Sequence, residues 1–494
     1  MLKNLRKQFT PWNLLILIIL LFAFILRIYR IGDLLDFHYD QGRDALIIWE
    51  LIKNHKFFLI GPVTGLEGVF LGPFYYYLIA PFYFIGNGNP AIPSIFLSSL
   101  VTISLFFLYK SGEEIGGKVV GFIALLIGSF SNYLILSSRW LSNPTPIYLT
   151  SILIFYLMIK IIKEKDNKPI FWILMFLLVG ISFHFELASA IFYLPILLIF
   201  SFWQKKKLNK LTAVLSLSLL ITTFLPQVIF NFRHENILFN NILLQITNHK
   251  DSQIEINFLQ FLQTRIKRIW DIISSLIFNN NILIASIFLT ISLFGILKLK
   301  KNNEISKLFA IFLGIPLIGY LLYRGNYGNL YNYYLTGYFL IFVLFFSWGI
   351  SYFFKISPKR IVLMFILLIL LNLIQIKIKL TTNVNNSNEI FIQNQLEAIN
   401  WIYEDSIGNN FNVDVYVPPV IPYSYDYLFL WEKNIRNNDN LKFTEKFDLL
   451  YTLYEVDPPH PDRLEAWLAR QKGIGKVEKE IKFGGIIVQR RIRI

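Results

Sequence analysis

Gly72-Pro73-Phe74-Tyr75-Tyr76-Tyr77-Leu78-Ile79-Ala80-Pro81-Phe82-Tyr83-Phe84-Ile85-Gly86 is the stretch on which the topology of this chain turns. It is apolar enough to enter a bilayer, but it falls short of the roughly 20 residues a crossing helix needs, and Pro73 and Pro81 interrupt it. Longer apolar runs flank it: residues 12–26 before it, then 91–109, 119–136, 146–162, 170–183, 187–203, 211–230, 282–297, 308–323, 333–354 and 361–376 after it. If residues 72–86 do not cross, the basic loops at Lys160–Lys168, Lys205–Lys210, Lys298–Lys307 and Lys355–Arg360 all fall on the side of the amino terminus, which carries Lys3, Arg6 and Lys7. That is the distribution the positive-inside rule demands. Counting the stretch as a crossing would invert every one of those loops. The sequence therefore predicts a juxtamembrane or re-entrant segment here, within a polytopic α-helical membrane protein of about 11 transmembrane helices.

Composition agrees. The chain has 494 residues, 55% hydrophobic and 16% charged, too apolar for a soluble protein of this length. The first helix ends in Arg27-Ile28-Tyr29-Arg30 with no small-residue cleavage box, so it is expected to be retained. The net charge of +15 sits mostly in short loops between apolar runs, a membrane-orientation pattern with no nucleic-acid partner implied. Cysteine is absent, which removes disulfides and thiolate metal sites.

Residues 1–380 read as the transmembrane domain, with outer loops at 32–90 and 231–281. Within the second, Phe258–Phe278 alternates apolar and basic residues at helical spacing, as in a helix lying on the interface with Arg265, Lys267 and Arg268 near lipid phosphates, or equally a solvated helix face. From residue 381 the composition turns polar. Residues 381–494 are expected to form a small extracytoplasmic α/β domain, with strands near 412–417 and 484–494 and a helix near 458–471.

This topology gathers Asp36, His38, Asp40, Gln41, Arg43, Asp44 and Glu67 in the first outer loop, Arg139 and Asn143 in the second turn, and His184 and Glu186 in the third. Arg233 and Arg324 come from the fourth and fifth. Charges at membrane depth cost roughly 2.5–3.5 kcal/mol each on insertion scales, so acids and arginines at helix ends need a reason to be there. Snorkelling supplies one reason and chemistry another. In Asp36-Phe37-His38-Tyr39-Asp40-Gln41-Gly42-Arg43-Asp44, Asp40 suits a helix cap, with Arg43 and Asp44 in the first turn. The two His–Glu pairs, His184/Glu186 and His234/Glu235, do not have the spacing of a metal motif.

The Asp40-Gln41-Gly42-Arg43 motif after a first helix, followed by Gly72-Pro73-Phe74-Tyr75-Tyr76-Tyr77-Leu78 and by Ser138-Arg139-Trp140-Leu141-Ser142-Asn143-Pro144, resembles the GT-C membrane glycosyltransferases. Within them it is most similar to the protein mannosyltransferase and aminoarabinose transferase group (glycosyltransferase family 39-like), over roughly residues 12–200. The resemblance implies that Asp40 is the catalytic base and that a sugar passes from a polyprenyl-phosphate donor to an acceptor hydroxyl at the outer membrane face, with inversion. The candidates for donor and acceptor contacts on that outer face are Asp36, His38, Gln41, Arg43, Asp44, Glu67, Tyr75, Arg139, Asn143, His184 and Glu186. Arg139, Arg233 and Arg324 are the arginines suited to the lipid phosphate. Gln41 and Asn143 stand where the group often has acids, which speaks against a metal held by paired carboxylates; the chemistry admits a divalent ion without requiring one. The expected partners are membrane lipid, the lipid-linked donor and a protein, lipid or glycan acceptor, in the plasma or inner membrane. A flippase for lipid-linked sugars, or a glycan polymerase or ligase, is the competing reading, although the spans carry few of the mid-membrane charges usual in transporters.

Overall fold

The computed structural model describes residues 10–166, 168–247, 257–278, 281–299, 303–323, 329–386, 388–418, 421–442 and 445–494. Helices dominate it. They are α1 (Pro11–Ile28), α2 (Tyr39–Asn54), α3 (Phe74–Ile85), α4 (Ala91–Gly116), α5 (Lys118–Phe130), α6 (Asn132–Ser138), α7 (Ile147–Lys163), α8 (Pro169–Ser182) and α9 (Tyr193–Trp203). Then follow α10 (Lys210–Thr223), α11 (Leu225–Arg233), α12 (Ile237–Thr247), α13 (Phe258–Phe278), α14 (Ile282–Lys298), α15 (Asn303–Leu322), α16 (Phe339–Ile356) and α17 (Pro358–Leu380).

The chain is a multi-pass membrane protein. Among the described residues five helices are long and apolar enough to cross: α1, α4, α15, the run Asn332–Ile356 that includes α16, and α17. The number reaches eight if each bent pair is one span, namely α5 with α6 (63°), α10 with α11 (47°) and α13 with α14 (87°). Each apolar run of the sequence lies on one of these helices, on α7, or on the shorter apolar helices Pro169–Ser182 and Leu187–Trp203. Residues 72–86 contain the 12-residue helix α3, which at about 1.5 Å per residue is shorter than a hydrocarbon core is thick.

Polar contacts sort the helix ends into two groups. Near the start of α1, Trp12 Nε1 donates to the Tyr109 hydroxyl on α4 at 2.9 Å. At the C-terminal ends of α4 and α7, Lys160 pairs with Glu114 at 3.1 Å, and Lys207 Nζ donates to the carbonyls of Ile161, Ile162 and Glu164 at 2.7–2.8 Å. At the other end Arg30, just past α1, donates from Nη1 to the carbonyls of Leu380 and Thr382 at 3.2 and 3.1 Å. The lysines thus quench orphan carbonyls at one end, while Arg30 ties the first helix to the last at the other.

Beyond α17 the chain forms α18 (Ile392–Ser406), β1 (Asn412–Tyr416), α19 (Tyr423–Arg436), β2 (Leu449–Glu455), α20 (Pro461–Lys472), β3 (Gly475–Phe483) and β4 (Ile486–Arg493). The sheet order is β1-β2-β4-β3, with β1 parallel to β2 and the other pairs antiparallel. Parallel pairing of β1 and β2 needs a crossover, and α19 supplies it. Every residue of β2 is buried. Trp467 of α20 covers one side of it, with its ring 5.7 Å from Tyr416 and 5.9 Å from Tyr454, and Tyr451 faces Phe411 and Trp401 on the other. The edge strand β3 carries exposed Lys476, Glu478, Lys479 and Glu480, the charged face that discourages edge-to-edge pairing.

Candidate active site

The site begins at the first turn of α2. The residue that caps this helix is His38, in extended backbone, and not Asp40 as the sequence suggested. Gln41 reaches back and its Oε1 accepts the His38 N–H at 3.1 Å, as in the reciprocal half of a capping box. Asp40 therefore lies inside the first turn, where a carboxylate is favoured by the helix dipole, and its side chain remains 57% exposed. Arg43 bridges two acids: Nη1 meets Asp40 at 2.8 Å, and Nε and Nη2 meet Asp44 Oδ1 at 3.0 and 2.8 Å. Asp44 is buried and also accepts from the Tyr76 hydroxyl of α3 at 3.2 Å. Burial pushes the Asp44 carboxyl up to about 6 in spite of its Arg43 partner. Burial works against the charge on Arg43 as well, yet Asp44 and Asp40 together hold it more firmly protonated than usual.

Asp40 and Arg43 line a cavity of about 530 Å³. Its other walls are the loop Val63–Leu66 with Leu71, the turn holding Trp140, Ser142, Asn143 and Pro144, the segment Glu186–Ala188, and Tyr320, Tyr323, Tyr333 and Tyr334. Its charged lining residues are Asp40, Arg43 and Glu186, and most of the rest are aliphatic or aromatic. Such a shape takes a ligand with a polar head and an apolar body.

Several expected residues do meet here and several do not. Asn143 lines the cavity and its Nδ2 donates to the Phe185 carbonyl at 2.6 Å. Glu186 also lines it, while accepting from the N–H groups of Ala188 and Ser189 at 3.0 and 2.6 Å; burial pushes its carboxyl up to about 7 against those two donors. His184 acts as a clamp: Nε2 donates to the Thr223 carbonyl at 2.8 Å, which leaves Nδ1 to accept the Phe74 N–H at 3.3 Å. Burial holds its imidazole below the usual value. A Cβ on Gly72 would overlap that imidazole, so the glycine of the Gly72-Pro73 motif makes room for His184. Tyr75 is packed in the core beneath α2. Arg139 is buried, and its Nη1 donates to the carbonyls of Arg27 and Tyr29 at 2.9 and 2.8 Å, finishing α1. Burial lowers its pKa to about 10. Together with Asp36, Lys379 and Glu389 it lines a separate hollow of about 140 Å³ that shares Trp140 with the main cavity. His38 is exposed beside Asp36, and Glu67 and Arg233 are exposed without lining the cavity. Arg324 lies outside the described residues.

Trp140, Tyr320 and Tyr323 also line the cavity; Trp140 lies in the Ser138–Pro144 motif, and Tyr320 and Tyr323 lie in an apolar run where sequence carries no mark of a site. Among the described residues no three histidine or acidic side chains converge as a metal-binding group. In the cavity Asp40 has the amide Gln41 beside it, and that amide is committed to the cap.

Residues 71–230 match the family described as dolichyl-phosphate-mannose-protein mannosyltransferase. No curated protein sequence matches the chain. Among solved structures, apo ArnT from Cupriavidus metallidurans is similar with a TM-score of 0.62, 8% identity and 97% of each chain covered. The same protein bound to undecaprenyl phosphate gives 0.60, 9% identity and 98% of each chain. The Archaeoglobus fulgidus oligosaccharyltransferase, in complex with Zn and sulfate, gives 0.55 at 12% identity, covering 94% of this chain and 71% of that one. The chain therefore has the GT-C fold, that of ArnT, and over residues 71–230 it is similar to the dolichyl-phosphate-mannose-protein mannosyltransferase family.

Proposed function

We propose that the chain transfers a sugar from a polyprenyl-phosphate donor to an acceptor hydroxyl at the extracytoplasmic face of the cell membrane. The observation that carries this reading is the Asp40–Arg43 pair, 2.8 Å apart, in the wall of a cavity that is otherwise chiefly aliphatic and aromatic. The undecaprenyl phosphate bound to the ArnT of similar fold supports a polyprenyl carrier. The lysine-rich helix ends lie opposite the Arg30 end, which supports placing the site outside.

Asp40 is the general base. Its exposed carboxylate accepts the acceptor hydroxyl's proton as oxygen bonds to the anomeric carbon and the bond from that carbon to the phosphate oxygen breaks. Such a base contributes about 10²–10⁴ in rate, and a single displacement inverts the anomeric centre. Arg43 is the arginine that lines the cavity among the described residues, and a guanidinium matches phosphate oxygens through two nitrogens. It is placed to meet the departing lipid phosphate, with Asp44 holding it from behind. Arg324 follows the cavity residue Tyr323 and is a second candidate for that charge. Glu186 and Asn143 face the sugar, and the tyrosines offer it surfaces for stacking.

Membranes containing the protein, supplied with defined polyprenyl-phosphate sugars and probed for glycosylated protein, lipid and glycan by mass, are expected to yield product. Asp40→Asn is expected to lower transfer by at least about 10²-fold at equal expression. Undiminished transfer in that variant would remove Asp40 from the role.

A further inference from the structure

The segment that presents Asp40 is gripped from the far end of the chain. A Cβ added at Gly42 would overlap the backbone of Tyr423 and Ser424, so the first turn of α19 lies against α2 closer than any side chain allows. The Tyr423 ring packs on Tyr39, with centroids 4.9 Å apart and planes tilted by 54°. Just before the cap, the Phe37 carbonyl accepts from Nε2 of the fully buried Gln395 at 3.0 Å, and the Leu35 carbonyl accepts the Ile392 N–H at 3.0 Å. All these contacts come from residues beyond α17, and all land on Leu35–Gly42.

Resting on the transfer reading above, we propose that the sheet-bearing C-terminal layer is part of the catalytic apparatus, with Tyr423 and Gln395 as positioning residues that hold the Asp40 turn at the cavity. The first turn of a helix lacks half of its backbone hydrogen bonds and frays unless something holds it. Gln41 and Arg43 brace this turn from within α2 and Tyr76 of α3 secures α2 one turn deeper, at Asp44, while α19 packs on the turn from outside, at Tyr39 and Gly42. A displacement of about 1 Å at such a group costs on the order of 10²-fold in rate. The glycine in Asp40-Gln41-Gly42-Arg43 is thereby explained by docking: it is the notch in which α19 sits.

The test combines kinetics with a contact assay that needs no activity. Tyr423→Ala and Gln395→Leu are expected to lower kcat by about 10-fold or more while the donor KM stays within about two-fold, and Tyr423→Phe is expected to restore the rate because it keeps the ring. The chain has no cysteine, so a Tyr39→Cys/Tyr423→Cys pair is expected to be joined by a short bifunctional thiol reagent. Wild-type transfer with an unchanged kcat in Tyr423→Ala and Gln395→Leu, or a change confined to KM, overturns the positioning role alone. Failure of the pair to cross-link overturns the docking. Cross-linking in a protein that transfers no polyprenyl-phosphate sugar overturns the transfer reading, and the catalytic role of the layer with it.

Discussion

Arg43 meets Asp44 through two nitrogens on one carboxylate oxygen, Nε at 3.0 Å and Nη2 at 2.8 Å. The remaining nitrogen is thereby directed at Asp40. The charge state of a buried acid thus governs where the guanidinium at the cavity points.

The first consequence is a pH dependence. Asp44 is pushed up to about 6 by burial, so it gains a proton as pH falls through that value and releases its charged hold on Arg43. Transfer is expected to decline as pH drops through about 6. In Asp44→Asn the rate is lower throughout, and the step near pH 6 is absent. A rate profile of both proteins at fixed donor concentration reads this directly.

Tyr76 donates to the charged form of Asp44 and so lowers its pKa. Tyr76→Phe is expected to move the acidic limb of the profile to higher pH while leaving the plateau nearly intact. A limb that stays in place would remove Asp44 as its origin.

Replacing Arg43 by lysine keeps the charge but loses the planar fork that spans Asp40 and Asp44. Initial rates of Arg43→Lys are expected to fall on the order of 10²-fold, as when one oriented donor is removed from a charged transition state. A rate near that of wild type would show that bridging is dispensable.

Gly72→Ala drives a methyl group into the His184 ring. A loss of about 1–3 kcal/mol is expected from overpacking, seen as an earlier thermal transition in detergent. In the His184→Ala background the added loss should be smaller, because the two residues share one space.

Glu186 gives a stability slope. Its carboxyl is raised to about 7 in the folded protein from an ordinary 4.5, so the folded state binds the extra proton between those values. Stability from this group therefore falls as pH rises from about 4.5 to 7 and is level above. Glu186→Gln, which can still accept from Ala188 and Ser189, is expected to flatten that slope in denaturation measured across the window.

What the sequence revealed depended on range. Hydrophobic runs and loop charge are local signals, and they located the helices and the short α3. The α5–α6 and α10–α11 bends lie inside runs that read as single helices because composition does not register a change of axis. β2 escaped notice because Leu449–Glu455 is buried on both faces and shows no alternation. In the site, Asp40, Arg43, Asn143 and Glu186 were legible as polar residues at helix ends. Arg139 looked alike in sequence, but its Nη1 is committed to the last carbonyls of α1. Tyr320 could not be recognised because it lies within an apolar run whose neighbours are set by long-range packing. Gly42 is the clearest case: the residues that require it are Tyr423 and Ser424, nearly four hundred positions away.

The tie between Arg30 and the carbonyls of Leu380 and Thr382 imposes a parity rule. Two crossing helices whose carboxyl ends share one hydrogen-bonding group traverse the bilayer in the same sense, so a count from α1 to α17 that obeys this tie is odd: five long helices satisfy it, and eight with the bent pairs satisfy it only with a further crossing from a shorter apolar helix. Any revision of the topology has to add or remove crossings in pairs: promoting α3 to a span would oblige a second segment to change with it.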